Sequence, residues 1–372
     1  MKHGIIWKDT IGKFNFYAWP TVAKLDNGVL CIVSSGFRIR HACPFGKAVI
    51  QYSYDNGKTW TNPTPIIDTP LDDRDAGICV KNNVVLVTSF NNTPDDQRGF
   101  ITSRWTNYEH QHDLNKFALS YVDLVTEDEV DKYVGSTYTI SKDGGYTFSK
   151  PKKSKHALCN PHGPTLLDNG KMMLVGRKYV DGGRKLSTEV CYAFSEDGES
   201  WSDLKILNVP RTGDALYCEP HLIQAKNGVI ICHMRVDSYN SNFTIYQAVS
   251  KDGGETFSEF VPLKILGSPP HLMRHSTGTL ICVYGRRVKP FGQRAIISFD
   301  NGKTWSHEII LRDDGFDSDL GYPSSVELAD GKILTAYYHN TEDFNIGRSL
   351  EYTIWDLNEI KKRKEEEIFE TY

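Results

Sequence analysis

The sequence is poor in the features that mark several protein classes. Its 372 residues carry 43 Lys and Arg against 47 Asp and Glu, a formal net charge of −4. With no basic excess to neutralise phosphates, a nucleic-acid partner is not expected. No apolar run is long enough to span a bilayer, and the opening MKHGIIWKDTIGKF lacks the apolar stretch of an export signal. A membrane partner is therefore not expected either, and the expected location is cytoplasmic. The eight cysteines (31, 43, 79, 159, 191, 218, 232, 282) form no Cys-x-x-Cys pair. Several lie in apolar strand-like runs, GVLCIV, GVIICHM and GTLICVYG. Buried free thiols are expected, not a disulfide frame or a zinc site. A glycine-rich phosphate loop is also missing, and no cofactor is expected.

What is present repeats. A short pattern, Ser-x-Asp-x-Gly (Ser-x-Asp-Gly in one copy) followed by an aromatic, occurs five times: SYDNGKTW from Ser53, SKDGGYTF from Ser141, SEDGESW from Ser195, SKDGGETF from Ser250 and SFDNGKTW from Ser298. Its chemistry is that of a hairpin turn. The glycine supplies a positive φ, the carboxylate accepts from nearby backbone N–H groups, and the aromatic packs beneath. Between these turns runs a second pattern, two apolar stretches around an [Asp/Asn]-Gly turn. It begins at Pro20, Pro164, Pro220, Pro270 and Pro323, with a degenerate copy from Asp75. Two hairpins per unit give four strands, and six units at roughly fifty-residue spacing predict an all-β, six-bladed propeller filling residues 1–372 as one domain. The sixth copy lacks its Asp turn, so the N-terminal segment is expected to complete the last blade. Blade two carries an insertion at about residues 92–134. There Leu114, Phe117, Ala118, Tyr121 and Val125 have helical spacing, and Thr126 with Glu129 forms a capping-box pattern. The tail at about 357–372 reads as a charged helix. Insertion and tail are both candidate interfaces for a homo-oligomer.

Strand direction locates a site. The Asp turns share one face of such a propeller. The first residues of each inner strand and the last residues of each second strand share the other. The inner-strand positions are Trp19, Arg74 (beside Asp73 and Asp75), Asn160, Glu219, Pro269 and Tyr322. Two residues on, the same strand face returns with His162, His221 and His271. Second strands end at Arg38, Arg177, Arg235 and the pair Arg286–Arg287, and third strands begin near Lys47 and Arg294. Any one of these alone reads as a solvated rim charge; the set converging from six blades reads as a binding site. Trp19, Phe37 and Tyr217 are candidates for stacking on sugar faces.

The repeats resemble the Asp-boxes of the sialidase superfamily over nearly the whole chain. Because such boxes also occur in propellers of other function, the resemblance is carried over residue by residue. It implies an exo-acting, retaining glycoside hydrolase whose substrate is an oligosaccharide or glycoside ending in a carboxylate-bearing sugar. The family's nucleophile is a tyrosine, which attacks as a neutral phenol without repelling the substrate's carboxylate. By resemblance Tyr322 in LGYPSSVELADGK is that nucleophile and Glu219 in YCEPHLIQAKNG its partner. Arg235 in HMRVD and Arg294 in GQRAIISFDNGKTW are carboxylate-binding arginines. The family's opening Arg-Ile-Pro is here Ala18-Trp19-Pro20, so one arginine of the usual triad is missing. The glutamate that supports that arginine is replaced by Tyr337 or Tyr338. Arg38, Arg40 or Arg74 are candidate replacements, and Asp73 and Asp75 are candidates for the acid. Two alternatives stay open: a metal-dependent uronate lyase or hydrolase using the three histidines, and a glycan-binding propeller without catalysis.

Overall fold

The computed structural model describes every residue except 103–111, 211–212, 239–240, 342–346 and 361–372. Six antiparallel sheets are arranged as blades, and in all but the last the strands follow one another in chain order. Blade one is Phe16–Lys24, Leu30–Arg38, Lys47–Ser53 and Thr64–Ile67. Blade two is Arg74–Lys81, Val84–Phe90, Ser136–Ser141 and Lys152–Lys153, and blade four is Leu216–Gln224, Ile230–Ser238, Ser241–Ser250 and Val261–Leu266. Blade five is Pro270–Arg274, Leu280–Arg286, Gly292–Ser298 and Ile309–Arg312. Blade six runs Gly321–Glu327, Ile333–His339 and Ser349–Trp355, and its fourth strand is the N-terminal Lys2–Trp7, as expected. That pairing closes the ring and leaves no open sheet at the chain ends.

Blade three departs from the pattern. Its inner strand is split into Leu158–Cys159 and Thr165–Leu166, both paired to Met172–Val180. Between the pieces the Asn160 side chain replaces the ladder: Oδ1 accepts from His162 N at 2.9 Å and Gly163 N at 2.6 Å, and Nδ2 donates to Val175 O and Pro220 O. The chain here touches blade two, where Ile78 N donates to His162 O. A Cβ on Gly77 would fall 2.1 Å from Gly163 N, so glycine is what lets the two backbones meet.

The Asp turns hold the ring together. In the first, Ser53 Oγ donates to Asp55 Oδ1 and accepts from Gly57 N, while Asp55 accepts from the backbone of Lys58 and Thr59 and from the Thr59 hydroxyl. The aromatic of each turn packs into the apolar cluster shared with the preceding blade: Trp60, Phe148, Trp201, Phe257 and Trp305 in turn. The short motif is therefore a wedge between blades, which is why it recurs.

The insertion in blade two forms helices α1 (Pro94–Thr102), α2 (His112–Val122) and α3 (Glu127–Tyr133). The capping box at Thr126 and Glu129 is formed. A helical turn follows the last strand at 357–360; the rest of the tail lies outside the described residues. Among the described residues all eight cysteines are free, seven buried and Cys159 partly so, and no helix is long and apolar enough to cross a membrane.

Candidate active site

Four inner strands begin with the same backbone irregularity. Trp19, Asp75, Glu219 and Tyr322 all have positive φ, at 54°, 46°, 51° and 45°. Each sits in a register shift against the second strand of its blade, between Ala18 and Thr21, Arg74 and Gly77, Cys218 and His221, and Gly321 and Ser324. Left-handed backbone at non-glycine residues costs on the order of 1 kcal/mol or more and gathers at functional sites. The shared geometry corrects the expected register in blade two: Asp75, not Arg74, is the counterpart of Trp19, Glu219 and Tyr322. The sequence misleads here because Ala76 stands where three of those blades carry the proline.

Tyr322 Oη donates to Glu219 Oε1 at 2.5 Å. Glu219 Oε2 accepts from Arg235 Nη1 at 2.9 Å. Burial, together with the charges of Glu219 and Asp75, pushes the Tyr322 hydroxyl well above the usual phenol range, so it is a neutral phenol. Arg287 lies across the Tyr322 ring with its guanidinium carbon 5.4 Å from the centroid. It donates to Tyr338 Oη and Leu320 O. Tyr338 is thus the tyrosine that faces the site; Tyr337, one residue earlier, points the other way to Thr353. Tyr338 in turn donates to Asp319, which also meets His41 and Arg348.

Blades one and two supply the opposite wall. Where the resemblance expects an arginine, the Trp19 indole has two guanidiniums against its ring, Arg74 at 4.5 Å and Arg38 at 4.8 Å. Asp72 pairs with both, at 2.6 Å to Arg38 and 3.5 Å to Arg74, and accepts from Gln97 of α1 at 2.9 Å. The insertion therefore braces this wall. Arg38 is fully buried, and its donors go to Asp72, Asp73 O, Arg40 O and His41 O. It supports the wall; Arg74, also buried but with 10% of its side chain exposed, donates to His41 O at 3.1 Å and is the nearer of the two to the Trp19 ring. Arg40 reaches Asn115 of α2 instead.

The two acid candidates separate. Burial pushes both up to about 7. Asp73 is used internally: its carboxylate clamps Thr69 N at 2.7 Å and Thr69 Oγ1 at 2.9 Å. Asp75 has an oxygen with no hydrogen-bond partner, Arg74 at 4.0 Å, and Glu219 and Tyr322 within electrostatic reach. Asp75 belongs to the site and Asp73 to the loop.

Several other expected residues lie elsewhere. Arg294 donates to Glu308 and to the carbonyls of Gln293, Arg312 and Pro290, all in blade five and none in the Tyr322 cluster. Its third strand turns it toward the outer strand, and the blade-five arginine that reaches Tyr322 is Arg287. His162, His221 and His271 do come together, each two residues beyond the strand-entry position of its blade, and none is bonded to the Tyr322 cluster. Their rings pack on one another at 4.4–5.4 Å, and burial holds all three well below the usual imidazole range. Among the described residues no three His, Cys, Asp or Glu side chains are grouped to hold a metal ion, so the metal-dependent reading has no geometric support. Tyr217 packs in the core against Tyr246 and Phe260, and Phe37 against Tyr17. The reading of the sequence missed His41, Asp72, Asp237, Phe243 and Asp319. His41, Asp72 and Asp319 lie in connecting segments outside the repeat, and Phe243 near the start of a third strand; Asp237, two residues after Arg235, was legible from alternation alone.

The BNR repeat-like domain family matches residues 117–334, and the BNR/Asp-box repeat matches residues 51–62. No curated protein matches the sequence. Among solved structures, a Dyadobacter fermentans protein of unknown function is 22% identical with a TM-score of 0.73, covering 95% of this chain and 97% of that one. The NanB sialidase of Streptococcus pneumoniae is 15% identical with a TM-score of 0.65, covering 95% and 70%. A leech intramolecular trans-sialidase, solved with 2,7-anhydro-Neu5Ac, is 14% identical with a TM-score of 0.68, covering 98% and 71%. With more than half of its length matched by one family and its blades superposing on those of sialidases, the chain belongs to the BNR repeat-like domain family, on a sialidase-like six-bladed propeller.

Proposed function

We propose that the protein is an exo-acting, retaining glycoside hydrolase that removes a terminal acidic sugar, a sialic acid or a related carboxylate-bearing sugar, from an oligosaccharide. The observation that carries this reading is the 2.5 Å hydrogen bond from Tyr322 to Glu219 at two matching strained strand starts. A neutral phenol bonded to a carboxylate is an activated nucleophile and its base. As Tyr322 Oη bonds to the anomeric carbon, its proton passes to Glu219. The glycosidic C–O bond breaks, and Asp75, raised to about 7 by burial, gives its proton to the departing oxygen. Water then enters with Asp75 as base, the tyrosyl–carbon bond breaks, and the phenol recovers its proton from Glu219. Arg287 and Arg235 stand on the Tyr322 side to receive the sugar's carboxylate, and Arg74 on Trp19 stands in place of the missing arginine.

The test is a turnover screen against aryl glycosides of sialic acid, Kdo-type sugars and uronic acids, with wild type and Tyr322→Phe. Release of aglycone from one acidic sugar is expected for wild type, with loss of about 10³-fold or more in the variant and an unchanged fold. A variant as active as wild type sinks the nucleophile. No release from any substrate, together with retained sugar binding, favours the glycan-binding propeller instead.

A further inference from the structure

We infer that Asp237 is a built-in competitor for the substrate's carboxylate, and so a specificity-determining residue of this site; the inference rests on the acidic-sugar reading above. Arg235 and Asp237 stand two residues apart on the strand Ile230–Ser238, so their side chains share one face. Each nitrogen of the Arg235 fork has a carboxylate partner. Nη1 meets Glu219 at 2.9 Å, Nε meets Asp237 Oδ2 at 2.8 Å, and Nη2 meets the same oxygen at 2.6 Å. The Nε–Nη2 edge is the one that grips a ligand carboxylate side-on, and Nη1, half of the end-on edge, is already held by Glu219. Asp237 Oδ1 accepts from Phe243 N at 2.7 Å, which fixes the clasp from the neighbouring strand, and the Phe243 ring lies 5.1 Å from the Arg235 guanidinium carbon. The pair is not sealed off: the side chains of Arg235 and Asp237 are 14% and 20% exposed.

Arg287 differs. It too lies against Phe243 and Tyr322, but its partners are a carbonyl and a phenol, and among the described residues no carboxylate lies within ion-pair distance of it. Of the two arginines beside the nucleophile, one is neutralised from within the chain and one is open. An incoming carboxylate docks on Arg287 and gains Arg235 only by exchange with Asp237. A free acidic sugar released as product carries the same carboxylate, so Asp237 also speeds its departure. A hydroxyl at that position meets no such competitor. The wild-type site is therefore tuned to weak retention of acidic sugars.

The experiment is calorimetric binding of free sialic acid, Kdo and glucuronic acid to wild type, Asp237→Asn and Asp237→Ala, with steady-state kinetics on whichever acidic aryl glycoside wild type cleaves. The asparagine keeps an oxygen for Phe243 N and turns a donor toward the guanidinium, which frees the Arg235 edge. Both variants should bind the acidic sugar about tenfold tighter, the value of one exchanged charge pair near a surface. KM should fall by a similar factor, with kcat unchanged or lower because product leaves more slowly. Unchanged or weaker binding in folded variants overturns the inference and leaves the acidic-sugar reading standing. No binding of any of the three acids to any of the three proteins overturns both. Should the alanine variant fail to fold, the asparagine variant decides.

Discussion

On one rim of the propeller Asp55 and Asp197 sit in exposed turns, where the donors of Thr59 and Ser200 hold their carboxylates at about 2. On the opposite rim Asp75 is buried beside Arg74 and Glu219, and loss of solvent raises it to about 7. The residue type is the same, and each belongs to a blade of the same build. The difference is whether the carboxylate's hydrogen-bonding capacity is closed within its own turn. Every box is self-sufficient over a few residues, and its work is to hold blades together. Asp75 keeps an unpartnered oxygen on a strained backbone. In this fold unspent capacity, not charge as such, separates the functional rim from the structural one.

Two substitutions on the functional rim sharpen that contrast by separating support from chemistry. Asp72→Ala should have the largest effect. The carboxylate is fully buried between Arg38 and Arg74, and its loss leaves two buried cations uncompensated, about 3–5 kcal/mol of stability by urea unfolding. A loss below about 1 kcal/mol would mean that Gln97 and the surrounding carbonyls hold the wall without it. Asp75→Asn should leave the fold intact and lower turnover about 10²-fold on sugar leaving groups. The loss should shrink on nitrophenyl glycosides, whose departure needs little protonation. Equal loss on both leaving groups would remove Asp75 from the acid's role. The wild-type rate on poor leaving groups should fall above about pH 7, and that limb should vanish in the variant.

The same contrast explains what could be read in the sequence. The box is local: Ser298, Asp300, Gly302 and Thr304 complete their bonds within seven residues, so the motif declares itself five times. Blade count, ring closure by the N-terminal strand and the α3 capping box follow from such local chemistry. Glu219, Arg235 and Tyr322 were legible because their hairpins keep the repeat's register. The errors lie where that register slips or where contacts are distant. Asp75 was displaced by one residue because its blade has Ala76 and not proline. Arg294 was placed at the site because alternation along a third strand does not reveal a carboxylate, Glu308, waiting just before the fourth. The Arg38–Asp72–Arg74 wall joins a strand end, a loop and an inserted helix. No periodic signal connects them.

The pH dependence of stability should carry opposite signs on the two rims. Asp75 is raised from an unfolded value near 3.9 to about 7. Below about pH 4 it is protonated in both states and contributes nothing. Between about 4 and 7 the unfolded chain releases the proton and the folded one retains it, so wild type loses stability as pH rises; above 7 the deficit is constant. The Tm of Asp75→Asn minus that of wild type should therefore increase from pH 4 to 7 and then level. A flat difference would mean that Asp75 is ionised throughout. Asp55 is depressed to about 2, so its contribution is present above about pH 4 and lost as pH falls toward 2. Asp55→Ala should lower Tm by only about 2 °C at pH 7 and leave turnover unchanged. That small gap should close on acidification, the reverse of the Asp75 curve. If Asp55→Ala instead reduced turnover at full stability, the box rim would be coupled to the site, and the separation of the two faces would fail.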